Sequence, residues 1–403
     1  MRFCMVTTFY PPYHFGGDAT YVRALSRALA ALGHEVEVVH CVDAWRLKQH
    51  GGTTADPGEE HDGITVHRLE SRLGALSPLV TQQTGHPGLK SRALRAILSR
   101  PFDVVHFHNI SLVGGPAVLR WSRAPVTLYT LHEHWLLCPT HIFWKEHNRA
   151  CDGRTCLTCS LRSGIPPQLW RQTPLARRCV TRVDALLSPS RYTADLHREA
   201  GFTPPIHVLP LFSALDPPAA DAPPSSRPCF LFVGRVTASK GIVPLLEEFA
   251  AMPEYDLQVI GDGDLRPALE QRFTGCPNIR FLGRMPQPDL IAAYRSATAL
   301  VFPSLAPETF GLSIVEAFAC GTPAIVRDAG GAREAVDATG GGIVYRTGAE
   351  LRQAVARLGS DPALGRELGR RAREGFLRGF TVERHMDRYL GHIGAIRTAK
   401  GIH

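Results

Sequence analysis

The stretch "MRFCMVTTFYPPYHFGGDATYVRALSRALAALGHEVEVVHC" (1–41) decides the fold. "MRFCMVTTF" and "EVEVVHC" are short, largely apolar and β-branched, as buried strands are. Between them "DATYVRALSRALAALGH" repeats its apolar residues at helical spacing, and Gly33 gives the stop signal. Strand, helix and strand in this order make a βαβ unit, whose two strands pair in parallel. The pattern continues through "DVVHFHN" (103–109), "PVTLYTLHE" (125–133) and "ALLSPS" (185–190). It breaks at the Pro-rich "ALDPPAADAPPSSRP" (214–228), which reads as a linker. It then restarts with "CFLFVGR", "LQVIGDG", "IRFLG", "TALVFPS" and "PAIVRD" as strands with helices between. The predicted fold is α/β, with two doubly wound Rossmann-like domains facing each other across a cleft. The expected boundaries are 1–213, linker 214–228, 229–380, and a last amphipathic helix at 381–403 packing back on the first domain.

At 403 residues the chain is too long for one ordinary core, which agrees with two domains. It has 44% hydrophobic and 20% charged residues, and no run of 18 uncharged apolar ones. The first residues lack the basic start and apolar core of a signal peptide, so a cytoplasmic location is expected. Lys and Arg exceed Asp and Glu by 45 − 37 = 8, which suits an anionic partner without choosing one. Basic and apolar residues interleave at 86–100 and 169–182. These stretches either rest on an anionic membrane at its inner face or are ordinary amphipathic surface helices.

In such a fold ligands bind just after strands, so the informative residues should sit there. "FVGRVTASKGI" (232–242) carries Arg235 and Lys240 beside a helix start, two cations suited to a diphosphate. "FYPPYHFGGDAT" (9–20) places Gly16 and Gly17 before a helix, allowing close backbone approach. "LYTLHEHWLLCP" (128–139) ends a strand in His132, Glu133 and His134. "APETFGLSIVEAFACGTP" (306–323) sets Glu308 in the loop after a strand and Glu316 about one turn into the next helix, with Phe310, Gly311 and Leu312 between. "VIGDGDLRPALE" (259–270) has Arg266 in the third glycine slot and is not a dinucleotide fingerprint.

Together these motifs resemble the family-4 retaining glycosyltransferases of the GT-B fold. The resemblance covers nearly the whole chain and is strongest over 229–345. It implies an enzyme that moves a sugar from a nucleotide diphosphate donor to a saccharide, lipid-linked or small-molecule acceptor of the cell envelope or of secondary metabolism. It further implies that Glu308 binds donor-sugar hydroxyls, that the Phe310-Gly311-Leu312 backbone lies over the diphosphate and sugar, and that Glu316 holds the ribose. Arg235 and Lys240 would neutralise the leaving diphosphate, and His132 would stand near the donor sugar. Retention would proceed by same-face attack, with the donor phosphate taking the acceptor proton and no catalytic divalent metal. The chain lacks the family's common Asn-Gly turn before the linker, reading "HVLPLFSALD" (207–216) instead. A GT-B-like epimerase and a zinc-stabilised nucleic-acid-binding protein are the alternatives, the latter leaving the loops after the strands unexplained; no nucleic acid is expected.

A Cys-rich insert at 138–160 stands outside the family pattern. Cys138, Cys151, Cys156 and Cys159 are spaced C-x12-C-x4-C-x2-C, which suits a structural tetrahedral zinc site or, with the same ligands, an iron–sulfur cluster. His141 and His147 are reserve ligands.

Overall fold

The computed structural model describes residues 1–49, 63–153, 155–215, 217 and 227–402. The linker expected at 214–228 lies largely outside these residues. The chain forms two compact units, Met1–His141 with Thr155–Leu209 and His385–His403, and Ile142–Arg154 with Pro210–Arg384.

The first unit is built on β1 (Arg2–Val6), β2 (Glu35–Cys41), β3 (Ile64–Leu69), β4 (Val104–Phe107) and β5 (Val126–Thr130). Within the insert, β6 (Trp144–Lys145) and β7 (Arg149–Ala150) form a small antiparallel pair that groups with the second unit. β8 (Ala185–Ser188) and β9 (Ile206–Val208) complete a seven-stranded sheet in the order β3-β2-β1-β4-β5-β8-β9. All its pairings are parallel. Phe3, Cys4, Met5 and Val6 of β1 are fully buried, because a central parallel strand is covered on both faces. The order reverses between β1 and β4, so the loops after these two strands open a crevice at their carboxyl ends.

The second unit repeats the plan. β10 (Cys229–Val233), β11 (Asp256–Ile260), β12 (Ile279–Gly283), β13 (Ala299–Phe302), β14 (Ala324–Arg327) and β15 (Gly342–Tyr345) form a parallel sheet in the order β12-β11-β10-β13-β14-β15. Here the reversal falls between β10 and β13. It places the loop of Arg235 and Lys240 beside the loop of Glu308.

Each basic stretch contains a short helix that buries part of its apolar side, while Leu89 and Leu169 at the stretches' beginnings stay exposed. Leu94 and Leu98 are fully buried, while Arg92 and Arg95 are exposed. Cys179 and Val180 are likewise buried beside exposed Arg177 and Arg178. Among the described residues no helix is long and apolar enough to cross a membrane.

Candidate functional site

In the second unit the site is a backbone assembly before it is a set of side chains. The carbonyl of Ser239 accepts from the amides of Leu305 (2.9 Å) and Ala306 (3.0 Å), tying the loop after β10 to the loop after β13. Gly241 lies at φ 70°, and a Cβ there would stand 2.0 Å from the Pro303 carbonyl oxygen, so only glycine permits this approach. Glu308 is fixed from the other side, its carbonyl accepting from Gly331 N at 2.7 Å.

Lys240 Nζ and Ser304 Oγ both donate to Glu308 Oε1, at 2.6 and 2.5 Å. Burial alone would push the Glu308 carboxyl up, but the Lys240 ammonium and the Ser304 hydroxyl outweigh it and hold the group below the usual carboxylate range. The Arg235 side chain is exposed, and its charge adds to the same effect. Phe310 is buried, with its ring 6.1 Å from that of Phe380. Gly311 at φ 145° turns the chain into the helix Leu312–Ala319. Glu316 lies in that helix and accepts from Tyr294 Oη at 2.8 Å. Burial pushes its carboxyl up, and the Tyr294 hydroxyl offsets this only in part. Two carboxyls eight residues apart are thus tuned in opposite directions. Ser304 and Tyr294 were not singled out from the sequence; their partners lie 4 and 22 residues away and meet only through the fold.

In the first unit Gly16 and Gly17 are exposed at the start of the helix Gly17–Ala31. His132 follows β5, and its Nε2 lies 2.9 Å from Nδ1 of His108, which follows β4. His106 lies against His108 with centroids 3.9 Å apart and planes tilted by 37°, and reaches Thr130 Oγ1 and Tyr389 Oη at 2.7 and 2.9 Å. Tyr21 sets its edge against His132 at 5.2 Å and its hydroxyl 2.8 Å from His385 Nε2. Burial, then the neighbouring His385, drives the pKa of His132 down to about 3. The signal for this cluster was the alternate histidines of "DVVHFHN", read before only as a strand.

The four clustered cysteines are all free thiols. Among the described residues no three His, Cys, Asp or Glu side chains are gathered to hold a metal ion. Cys138 Sγ lies 3.2 Å from Thr140 Oγ1, Cys151 Sγ 3.3 Å from the Gly153 carbonyl, and Cys159 Sγ 3.9 Å from Ser163 Oγ. Cys156 and Cys159 share one helix of the first unit, whereas Cys151 counts with the second. The tetrathiolate expected from the spacing is therefore not assembled. Spacing fixes how many residues separate the thiols, but the path of the backbone decides where their sulfurs stand.

Residues 16–211 match the glycosyl transferase 4-like domain family and residues 218–375 the glycosyl transferases group 1 family. The chain is 37% identical over 360 residues to an uncharacterized glycosyltransferase of Methanocaldococcus jannaschii, covering 83% of each protein. Sucrose-phosphate synthase of Thermosynechococcus elongatus has the same fold, with a TM-score of 0.72 and 22% identity over 98% of this chain and 99% of that one. So does the Anabaena protein HepE in complex with UDP-glucose, with a TM-score of 0.67 and 18% identity over 98% and 100% of the two chains. These likenesses favour an enzyme over a nucleic-acid-binding protein, and the chain belongs to the family-4 glycosyltransferases of the GT-B fold.

Proposed function

We propose that the protein is a retaining glycosyltransferase whose second unit binds a nucleotide diphosphate sugar. The observation that carries this reading is the junction of Lys240, Ser304 and Glu308 at the point where the strand order reverses. Lys240 and Arg235 supply positive charge where a diphosphate leaves, and cations fixed there stabilise a developing negative charge more than the ground state. Glu308 takes the donor-sugar hydroxyls, the Phe310-Gly311-Leu312 backbone covers the diphosphate, and Glu316 takes the ribose. The acceptor hydroxyl attacks the anomeric carbon on the face from which the phosphate oxygen departs, and that oxygen receives the proton. The UDP-glucose bound by the Anabaena neighbour supports a nucleotide-sugar donor of this kind. No step is assigned to a metal.

For the acceptor, a lipid-linked saccharide is favoured by Leu157, Leu161 and Leu169 of the first unit, which are 52, 60 and 67% exposed. Cosedimentation with anionic vesicles, lost in the triple Ser variant, tests that choice. The donor is tested by melting the protein against a panel of nucleoside diphosphates, since a ligand selective for the folded state raises its melting point. One base should give a clear shift that disappears in Arg235→Ala and Lys240→Ala. No shift with any nucleotide, or shifts that survive both variants, would remove the donor site from this position.

A further inference from the structure

We propose that the helix Leu76–Thr84 of the first unit is an interfacial anchor: its outer ridge, Leu76 and Val80 with Leu73 and Leu89 beside them, seats in the surface of an anionic lipid bilayer. That the seated face serves a lipid-linked acceptor rests on the reading above; the seating itself does not.

The helix is inside out. A surface helix ordinarily turns its apolar residues to the core and its polar ones to water. Here Ser77, Thr81 and Gln82 are buried, whereas Leu76 is 55% and Val80 37% exposed. The polar side is held by Lys90, itself buried, whose Nζ donates to Ser77 O, Ser77 Oγ and Thr81 Oγ1 at 3.1, 3.1 and 2.8 Å. Rolling the leucines inward would strip this buried ammonium of its acceptors, which is costly, so the apolar ridge stays outward. A Cβ at Gly88 would stand 2.7 Å from Val80 Cγ1, so the turn that carries Leu89 lies against the same ridge.

A second helix beside it is built the same way. Trp170 Nε1 donates to the Gln82 carbonyl at 2.9 Å and Gln83 Nε2 to the Pro166 carbonyl at 3.4 Å, which straps the first helix to the segment of Leu169. Leu169 and Leu157 line one pocket, and Leu157 belongs to the helix Cys156–Arg162. There Cys159 and Ser160 are buried, while Leu157 and Leu161, one turn apart, are exposed. Seven of the eleven large apolar side chains exposed among the described residues fall at 73–89 and 157–169. The charge around them has one sign. Residues 71–102 and 153–183 contain no Asp or Glu, although the chain has 37. Exposed Arg72 and Arg92 flank the first segment in sequence, and exposed Arg177 and Arg178 follow the second. A nucleic acid calls for cations without a leucine ridge. A leucine ridge with arginines around it and no carboxylate suits the bilayer interface, where acyl chains take the leucines and anionic headgroups the arginines.

Flotation of the full-length protein with vesicles of phosphatidylcholine, with and without phosphatidylglycerol, tests the proposal. The protein should float with the anionic vesicles only, and less so as salt is raised. Leu76→Ser with Val80→Ser should weaken the partition about tenfold or more. The melting point should not fall, because both side chains are exposed. Leu73→Ser with Leu89→Ser, outside the helix, should act likewise. Arg72→Gln with Arg92→Gln should weaken the partition about fivefold or more. A wild type that stays unbound, or that binds neutral vesicles equally well, would overturn the proposal. So would serine variants that float as the wild type does, since charge alone would then hold the protein. A dimer in sedimentation that both serine pairs dissociate, without vesicle binding, would assign the ridge to a second copy of the chain and overturn it too. Ridge-dependent flotation by a protein that turns over no nucleotide sugar would uphold the anchor and defeat the transfer reading instead.

Discussion

Glu308→Gln should act in opposite directions on stability and on nucleotide binding. The substitution keeps the shape and one carbonyl oxygen but removes the charge that Lys240 and Ser304 address together. The Lys240 and Glu308 side chains are 23 and 18% exposed, so the pair lies between two regimes. A solvated pair contributes about 0–1 kcal/mol, and breaking a buried one costs about 3–5 kcal/mol. A loss of about 2 kcal/mol in urea unfolding is expected, in line with a charge-assisted hydrogen bond. The loss should depend on pH. The folded carboxyl titrates below its unfolded value, so its contribution is present above the unfolded pKa and fades as pH falls through the folded one. The gap between variant and wild type should therefore close in acid. Nucleotide affinity should move the other way. Lys240 freed from its carboxylate is available to a diphosphate, so titration calorimetry should give a nucleoside-diphosphate Kd unchanged or tightened by up to about tenfold, a gain of about 1.4 kcal/mol. Lys240→Ala should weaken the same binding by about 1–3 kcal/mol. An equal loss in Glu308→Gln and Lys240→Ala would refute this reasoning, because Glu308 would then hold the nucleotide rather than the sugar.

Glu316→Gln should stabilise the free protein by about 1 kcal/mol at pH 7, since a carboxyl raised by burial contributes stability below its unfolded pKa that is lost as pH rises through the folded one. The same variant should weaken nucleoside-diphosphate binding in calorimetry, a trade of stability against function. The thiols stand apart, so native labelling should modify Cys151 and Cys156 at a rate that a chelator leaves unchanged, while Cys4, Cys41 and Cys179 react only on unfolding. Chelator-dependent labelling of Cys138, Cys151, Cys156 and Cys159 together would restore the metal site that their spacing suggests.

What could be read from the sequence was whatever the chain writes locally. Central strands such as "CFLFVGR" are continuous apolar runs because both faces are covered, and they stood out at once. β3, "ITVHRL", did not, because an edge strand keeps His67 and Arg68 partly or fully exposed and its pattern fades into a loop. β9 and β15 were missed for their brevity, at three and four residues. Glu308 and Glu316 could be placed on a loop and a helix, since glycine and proline punctuate that stretch. That Lys240 grips Glu308, 68 residues away, could not be read. It follows from β10 lying next to β13, which is a property of the strand order. The same holds for His108 and His132, 24 residues apart and joined by the pairing of β4 with β5.

The central claim is that a sugar leaves a nucleotide diphosphate and arrives on an acceptor with its configuration kept. Proton NMR of the reaction with the nucleotide sugar chosen by the melting screen measures this in one tube. Release of nucleoside diphosphate should match the growth of a product whose anomeric coupling equals that of the donor, and Lys240→Ala should slow both together. An inverted anomeric coupling, or turnover that Lys240→Ala leaves untouched, would contradict the account.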